Sequence, residues 1–275
     1  MANFRRRKTK SGEVPIPKSL RGQKLTGQEV GPVITTVRSR SIYLLPNAFT
    51  TAGLFCGFYA IVMAMNLKFT EAAIAIFVAM VLDSMDGRVA RMTNTQSEFG
   101  AQYDSLADMV SFGAAPALVV YEWSLRGMGK IGWIAAFVYC VGGALRLARF
   151  NTNITIVDKR YFQGLPSPAA AALVAGFIWL MDDLRFAGAD LGWASWVITM
   201  YAGITMVTSV PFYSFKDFHF KKAVPFIAIL LVVCIIVAIS SDPPKVLFGV
   251  FVLYGLSGYA VYAWRFIKGQ RSSII

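Results

Sequence analysis

Histidine is almost missing from this chain, cysteine is rare and charge is scarce. His219 is the single histidine in 275 residues, which excludes mechanisms that need two and leaves a histidine-built metal centre without ligands. Cys56, Cys140 and Cys234 are the only cysteines. They lie far apart inside apolar runs, with no CxxC among them, so they read as buried thiols and not as disulfides or zinc ligands. Charged residues make up 15% of the chain, where a soluble domain carries about 25%. No apolar core precedes Ile42, so residues 1–40 do not read as a secretory signal.

Apolar residues fill the gap, at 56%. A helix needs about 20 residues to cross the hydrocarbon core, and backbone polar groups in lipid must pair within the segment. Eight stretches meet that description: 43–66, 70–91, 101–122, 131–150, 166–182, 190–212, 222–241 and 245–267. The fifth is short, begins at Pro166 and Pro168, and is rich in alanine, which predicts burial against neighbouring helices. The expected fold is all-α, a polytopic transmembrane bundle of about eight spans. Residues 1–40 read as a basic, mostly disordered cytoplasmic tail, of which 32–41 can lie on the membrane surface. Residues 41–215 read as the core, and 216–275 as two additional spans.

The formal net charge is +12. The basic residues sit in the tail and in short loops, not as a stripe on a soluble fold, which argues against a nucleic-acid-binding protein and for an anionic membrane face. With the N-terminus in the cytoplasm, every Lys and Arg falls inside except Lys68, Arg126, Lys130, Arg185 and Lys245. By the positive-inside rule both termini are cytoplasmic.

The chemistry concentrates in Leu82 to Met109, LDSMDGRVARMTNTQSEFGAQYDSLADM, where the second span meets the cytoplasm and the third begins. Ionisable groups within spans are costly, and close like charges repel. Asp83 and Asp86 are three residues apart and Asp104 and Asp108 four apart, so each pair shares a helical face. Two antiparallel helices would aim all four at one point. An all-oxygen site suits two divalent cations, Mg²⁺ or Mn²⁺, which can clamp a phosphate. Gly87 and Gly100 allow close approach of a backbone or phosphate. Arg91, four residues after Gly87, is placed to meet a diphosphate.

This pattern, D-x2-DG-x2-AR-x8-G-x3-D-x3-D, resembles that of the CDP-alcohol phosphotransferases. Asp83, Asp86, Gly87, Ala90, Arg91, Gly100, Asp104 and Asp108 meet it without departure. The resemblance implies that Asp83, Asp86 and Asp104 hold the metals, and that Asp108 touches a metal and acts as general base. It implies that Gly87 and Arg91 contact the CDP diphosphate. Ser97 is a further contact to the nucleotide lipid, and Pro46, Asn47 and Thr50 resemble the family's first-span segment near the cytidine. A second stretch, ALRLARFN (144–151) followed by FQGLPSPAAAA (162–172), looks like the membrane-embedded phosphatidylserine synthases of bacteria. On that reading CDP-diacylglycerol and L-serine are the substrates, and the site faces the cytoplasm from the inner membrane. Arg146, Arg149, Asn151 and Ser167 are candidate serine contacts. The family also implies a homodimer.

Bland alternatives stand beside these readings. Helix packing accounts for Gly87 and Gly100, interface anchoring for Arg91, Arg146 and Arg149, and helix capping for Asn47 and Thr50. The same chemistry with glycerol 3-phosphate, inositol phosphate or choline is the nearest functional rival. A membrane prenyltransferase would want DDxxD-like clusters, whereas the only DD pair, Asp182–Asp183, falls on the outer side. A transporter would show paired broken helices in two repeats, and the sequence has no such internal repeat; full CMP release kept by an Asp108→Asn variant would favour a non-catalytic scaffold.

Overall fold

A computed structural model of the protein describes residues 41–93, 97–152, 161–213 and 226–267. The chain divides into Met1–Arg38 and Ser39–Ile275, and everything described lies in the second unit. The tail and His219 lie outside the described residues.

The architecture is all-α. The helices are α1 (Ser41–Met65), α2 (Phe69–Met92), α3 (Glu98–Asp108), α4 (Ala115–Trp123), α5 (Lys130–Thr152), α6 (Ser167–Asp183), α7 (Gly192–Val207), α8 (Phe226–Ser241) and α9 (Pro243–Ile267). Each expected apolar stretch overlaps one of these helices, except the third, which overlaps α3 and α4. Between these two the chain takes a π-helical turn, Met109–Ala114, so that stretch is a continuous but irregular helix. Pro116, four residues after Phe112, has no N–H to offer the Phe112 carbonyl. The Tyr139 hydroxyl of α5 donates to it instead, at 3.0 Å.

The sixth stretch ends earlier than expected. Helix α7 stops at Val207, and residues 211–213 form a strand, β2 (Pro211–Tyr213), antiparallel to β1 (Tyr161–Gln163). Tyr161 pairs with Tyr213 and Gln163 with Pro211. Thr208 turns to extended backbone with ψ 160° and closes the helix, and Pro211, with no N–H, could not continue it.

Three described helices are long and apolar enough to cross a membrane: Pro46–Met65 in α1, Lys130–Thr152 in α5 and Pro243–Trp264 in α9. Helix α2 has the length but carries Glu71, Asp83, Asp86, Arg88 and Arg91. Helices α6, α7 and α8, with 17, 16 and 16 residues, are shorter than a full crossing. The surface is that of a membrane protein. Phe55, Phe58, Val81, Trp133, Phe137, Trp193, Val197, Ile236 and Leu253 are all exposed, and water would not tolerate so broad an apolar skin on a soluble domain.

Helix α6 is the centre of the bundle. It is buried from Ala169 through Ile178 and packs on α2, α4, α7 and α9. Its alanines let neighbouring backbones come close, the usual basis of helix association in lipid. Helices α5 and α7 meet through glycine. A Cβ on Gly142 would lie 2.4 Å from the Gly203 carbonyl oxygen, and one on Gly203 would lie 2.8 Å from Tyr139 Cα. Nothing larger fits without moving one helix.

Candidate active site

The site sits where α1, α2 and α3 converge. Asp83 and Asp86 stand on α2, and Asp104 and Asp108 on α3, so each pair does share a helix face. The structure brings three of the four together. One carboxylate oxygen from each of Asp83, Asp104 and Asp108 lies within 4.8 Å of the others. Asp83 and Asp108 come within hydrogen-bonding reach of each other. Two carboxylates can sit so close only with a shared proton or a cation between them.

Asp86 lines the same pocket with Thr50, Gly53, Leu54, Ala79, Ala107, Ser111 and Phe112. It is 6% exposed and is held by donors from its own surroundings. Thr50 Oγ1 donates to Asp86 Oδ2 at 3.0 Å, and the Gly87 backbone N–H donates to Asp86 Oδ1. Asp86 therefore stands in the pocket wall, beside the group of three.

The donor set tests whether a cation fits. Asp104 Oδ1 is buried and has no hydrogen-bond partner among the described residues. A buried carboxylate oxygen without a donor costs about 1–3 kcal/mol or more. Three converging carboxylates with one orphaned oxygen are hard anionic ligands of the kind Mg²⁺ and Mn²⁺ take. The residues fit a divalent cation.

The surrounding helices fix these side chains. Ser111, in the π turn just after Asp108, donates to the Gly53 carbonyl of α1 at 3.1 Å. A Cβ on Gly57 would lie 2.5 Å from Ser111 Oγ and 2.7 Å from Ser111 Cα, so α1 and the π turn touch backbone to backbone. π turns of this kind recur at functional sites because they re-aim the side chains beside them.

The predicted nucleotide-side residues are spread around this core. Arg91 folds back over Gly87, where a Cβ would meet its Nη2 at 4.0 Å; both residues are exposed. Thr50 serves Asp86, as described, and bonds back to the Pro46 carbonyl at 3.2 Å. Asn47 faces the start of α3, its Oδ1 3.5 Å from where a Gly100 Cβ would stand. Ser97 caps α3 by accepting from the Gly100 N–H at 3.0 Å. Pro46 is buried within α1.

Of the predicted acceptor-side residues, Arg146 and Ser167 meet. Arg146 Nη1 donates to Ser167 Oγ at 2.9 Å. Arg149 is half-buried almost one turn further along α5. Asn151 pairs with Ser105, its Nδ2 donating to Ser105 Oγ at 3.1 Å, and so ties the end of α5 to α3. Four contributors escaped the sequence reading, Ser105 among them. Thr51 and Tyr103 share a hydrogen bond of 3.0 Å between α1 and α3, and Ser111 buttresses the π turn. Each sits within three residues of a predicted site residue, which was the available signal.

The CDP-alcohol phosphatidyltransferase family model matches residues 43–208, a segment that includes all four aspartates. The chain belongs to the CDP-alcohol phosphatidyltransferase family. Relatives extend the match beyond that segment. A CDP-diacylglycerol–serine O-phosphatidyltransferase of Helicobacter pylori is 34% identical over 84% of this chain and 98% of its own length. One of Mycobacterium bovis is 32% identical over 78% of this chain and 77% of its own. One of Methanocaldococcus jannaschii is 33% identical over 67% and 82%. As a member of the CDP-alcohol phosphatidyltransferase family, the protein is a membrane-embedded transferase, and its acidic cluster lies in the part that the family shares.

Proposed function

We propose that the protein transfers the phosphatidyl group of CDP-diacylglycerol to L-serine, giving phosphatidylserine and CMP. The observation that carries this reading is the convergence of Asp83, Asp104 and Asp108 in a pocket of a CDP-alcohol phosphatidyltransferase. The serine acceptor rests on the names of the bacterial and archaeal relatives and on the ALRLARFN and FQGLPSPAAAA stretches.

Asp83, Asp86 and Asp104, with Asp108, are the residues that would hold two divalent cations, Mg²⁺ or Mn²⁺. Bound there, such ions would supply positive charge to the diphosphate and the developing CMP oxygen. The chain's own groups do the rest. Gly87 leaves room for the diphosphate and Arg91 pairs with it. Pro46, Asn47, Thr50 and Ser97 line the nucleotide end.

Asp108 takes the proton from the serine hydroxyl. The serine oxygen then forms its bond to the phosphorus that bears diacylglycerol, and the bond from that phosphorus to the CMP oxygen breaks, CMP leaving with the electron pair. Arg146, Arg149, Asn151 and Ser167 hold the acceptor. Positioning and charge stabilisation provide most of the rate.

The same reading has about eight membrane spans, both termini in the cytoplasm, and residues 41–215 as the catalytic core. It puts the site at the cytoplasmic face of a bacterial inner membrane and the chain in a homodimer. The test is CMP release from CDP-diacylglycerol with each acceptor in turn. Serine is expected to drive release, and glycerol 3-phosphate, inositol phosphate and choline are not. Chelation is expected to abolish release, and Mg²⁺ or Mn²⁺ to restore it. Release with glycerol 3-phosphate but not with serine overturns the acceptor assignment.

A further inference from the structure

The family match ends at residue 208, yet polar bonds lace the matched part to α9. Tyr201 of α7 donates to the Gly255 carbonyl at 2.8 Å, and Thr205 and Tyr259 share a hydrogen bond of 2.8 Å. Tyr254 of α9 is tied just beyond that part. Its hydroxyl donates to the Tyr213 carbonyl on β2 at 3.3 Å, and its ring packs on Phe212 with centroids 5.7 Å apart.

This link leads toward the site. β2 pairs with β1, and β1 runs into the turn before α6. Gly164 in that turn has φ +78°, and a Cβ there would lie 2.4 Å from the Met206 carbonyl oxygen. The Gly164 and Leu165 N–H groups donate to the carbonyls of Val210 and Thr205 at 2.9 and 3.1 Å. The turn is thereby fixed, and with it Ser167, which is 1% exposed and accepts from Arg146.

Arg146 is the common destination. Its Nε is buried with no hydrogen-bond partner among the described residues. Its guanidinium lies within electrostatic range of the Asp108 carboxylate and of the Tyr254 phenol. The Tyr254 hydroxyl is engaged by the Tyr213 carbonyl, so the hydrogen-bonded route from Tyr254 to Arg146 runs through β2, β1, the Gly164 turn and Ser167. A half-buried guanidinium whose buried Nε is unmatched calls for an anion, and its planar fork suits a carboxylate held by two parallel bonds.

We propose that Tyr254 of α9 is a positioning residue for the acceptor: it aims Arg146 so that the unpaired Nε receives the carboxylate of a small hydroxy acid beside Asp108. The last helix is then part of the acceptor site. This rests on the acceptor assignment made above.

The test uses full-length enzyme in lipid vesicles containing CDP-diacylglycerol, with serine titrated and CMP release followed. Tyr254→Phe keeps the ring on Phe212 and removes only the hydroxyl. The serine KM is expected to rise about tenfold, with kcat and the KM for CDP-diacylglycerol held within about twofold. Tyr201→Phe removes a comparable α9 tether and is expected to leave the serine KM unchanged.

An unchanged serine KM in Tyr254→Phe overturns the proposal. So does a rise shared by both substrates together with a lowered thermal midpoint, since that marks a merely structural role. Arg146→Gln separates the two levels. A raised serine KM there with none in Tyr254→Phe sinks the Tyr254 role alone. An unmoved serine KM in Arg146→Gln sinks the acceptor-site reading itself.

Discussion

Asp108 combines two features that no other residue here has together: a carboxylate in the acidic trio and a place at the head of the π turn. Exchange of its carboxylate for an amide keeps size and shape but removes the proton acceptor. Asp108→Asn is therefore expected to lower kcat for CMP release by about 10²–10⁴, with helix content unchanged by circular dichroism. Retention of full CMP release would point to a non-catalytic cluster. At this scale the sequence was most informative where a cost had to be explained. Four carboxylates at the edge of apolar runs demand partners, so the grouping of Asp83, Asp104 and Asp108 was legible. Thr51, Tyr103 and Ser105 carry no such cost, since hydroxyls on helices are commonplace. Their work shows only once α1, α3 and α5 are packed.

Among the elements, helices were legible because a bilayer requires long apolar runs. The π turn was not, since nothing in MVSFGA departs from an ordinary helix until Pro116 follows and Tyr139 arrives from another helix to serve the Phe112 carbonyl. The three-residue strands β1 and β2 are too short to leave a periodic trace, and they pair across some fifty residues. The burial of α6 was legible from its alanines. The contact of α1 with the π turn gives a prediction at this scale. Gly57→Val puts branched carbons where Ser111 Cα already stands 2.7 Å from a Cβ. Overpacking of this kind costs about 1–3 kcal/mol, and relief comes from pushing the π turn, and Asp108 with it, away from α1. CMP release is expected to fall at least about tenfold while the protein stays helical and in the membrane. Wild-type release from this variant would show that the close approach does not set the position of Asp108.

The whole molecule poses one question that no single residue answers, namely which way the bundle faces. Its basic residues are strongly asymmetric: outside the segments that this orientation assigns to the cytoplasm stand only Lys68, Arg126, Lys130, Arg185 and Lys245. The negative surface of the cytoplasmic leaflet favours that arrangement, and the orientation proposed above would bring the acidic trio to the side where the proposed acceptor, a water-soluble amino acid, is supplied. Two exposed positions report on the two faces. Met92, 84% exposed, ends α2 just beyond Asp86 and Arg91. Gly127 lies in the short connection between α4 and α5, at the far end of the irregular helix that begins beside Ser97, and a side chain there meets nothing within 4 Å. In a background with Cys56, Cys140 and Cys234 replaced by serine, a membrane-impermeant maleimide is expected to label Gly127→Cys in intact cells. It is expected to label Met92→Cys only in inverted vesicles. The reverse pattern would turn the bundle over, put the carboxylates on the outer face, and leave both the charge asymmetry and the supply of acceptor without an explanation.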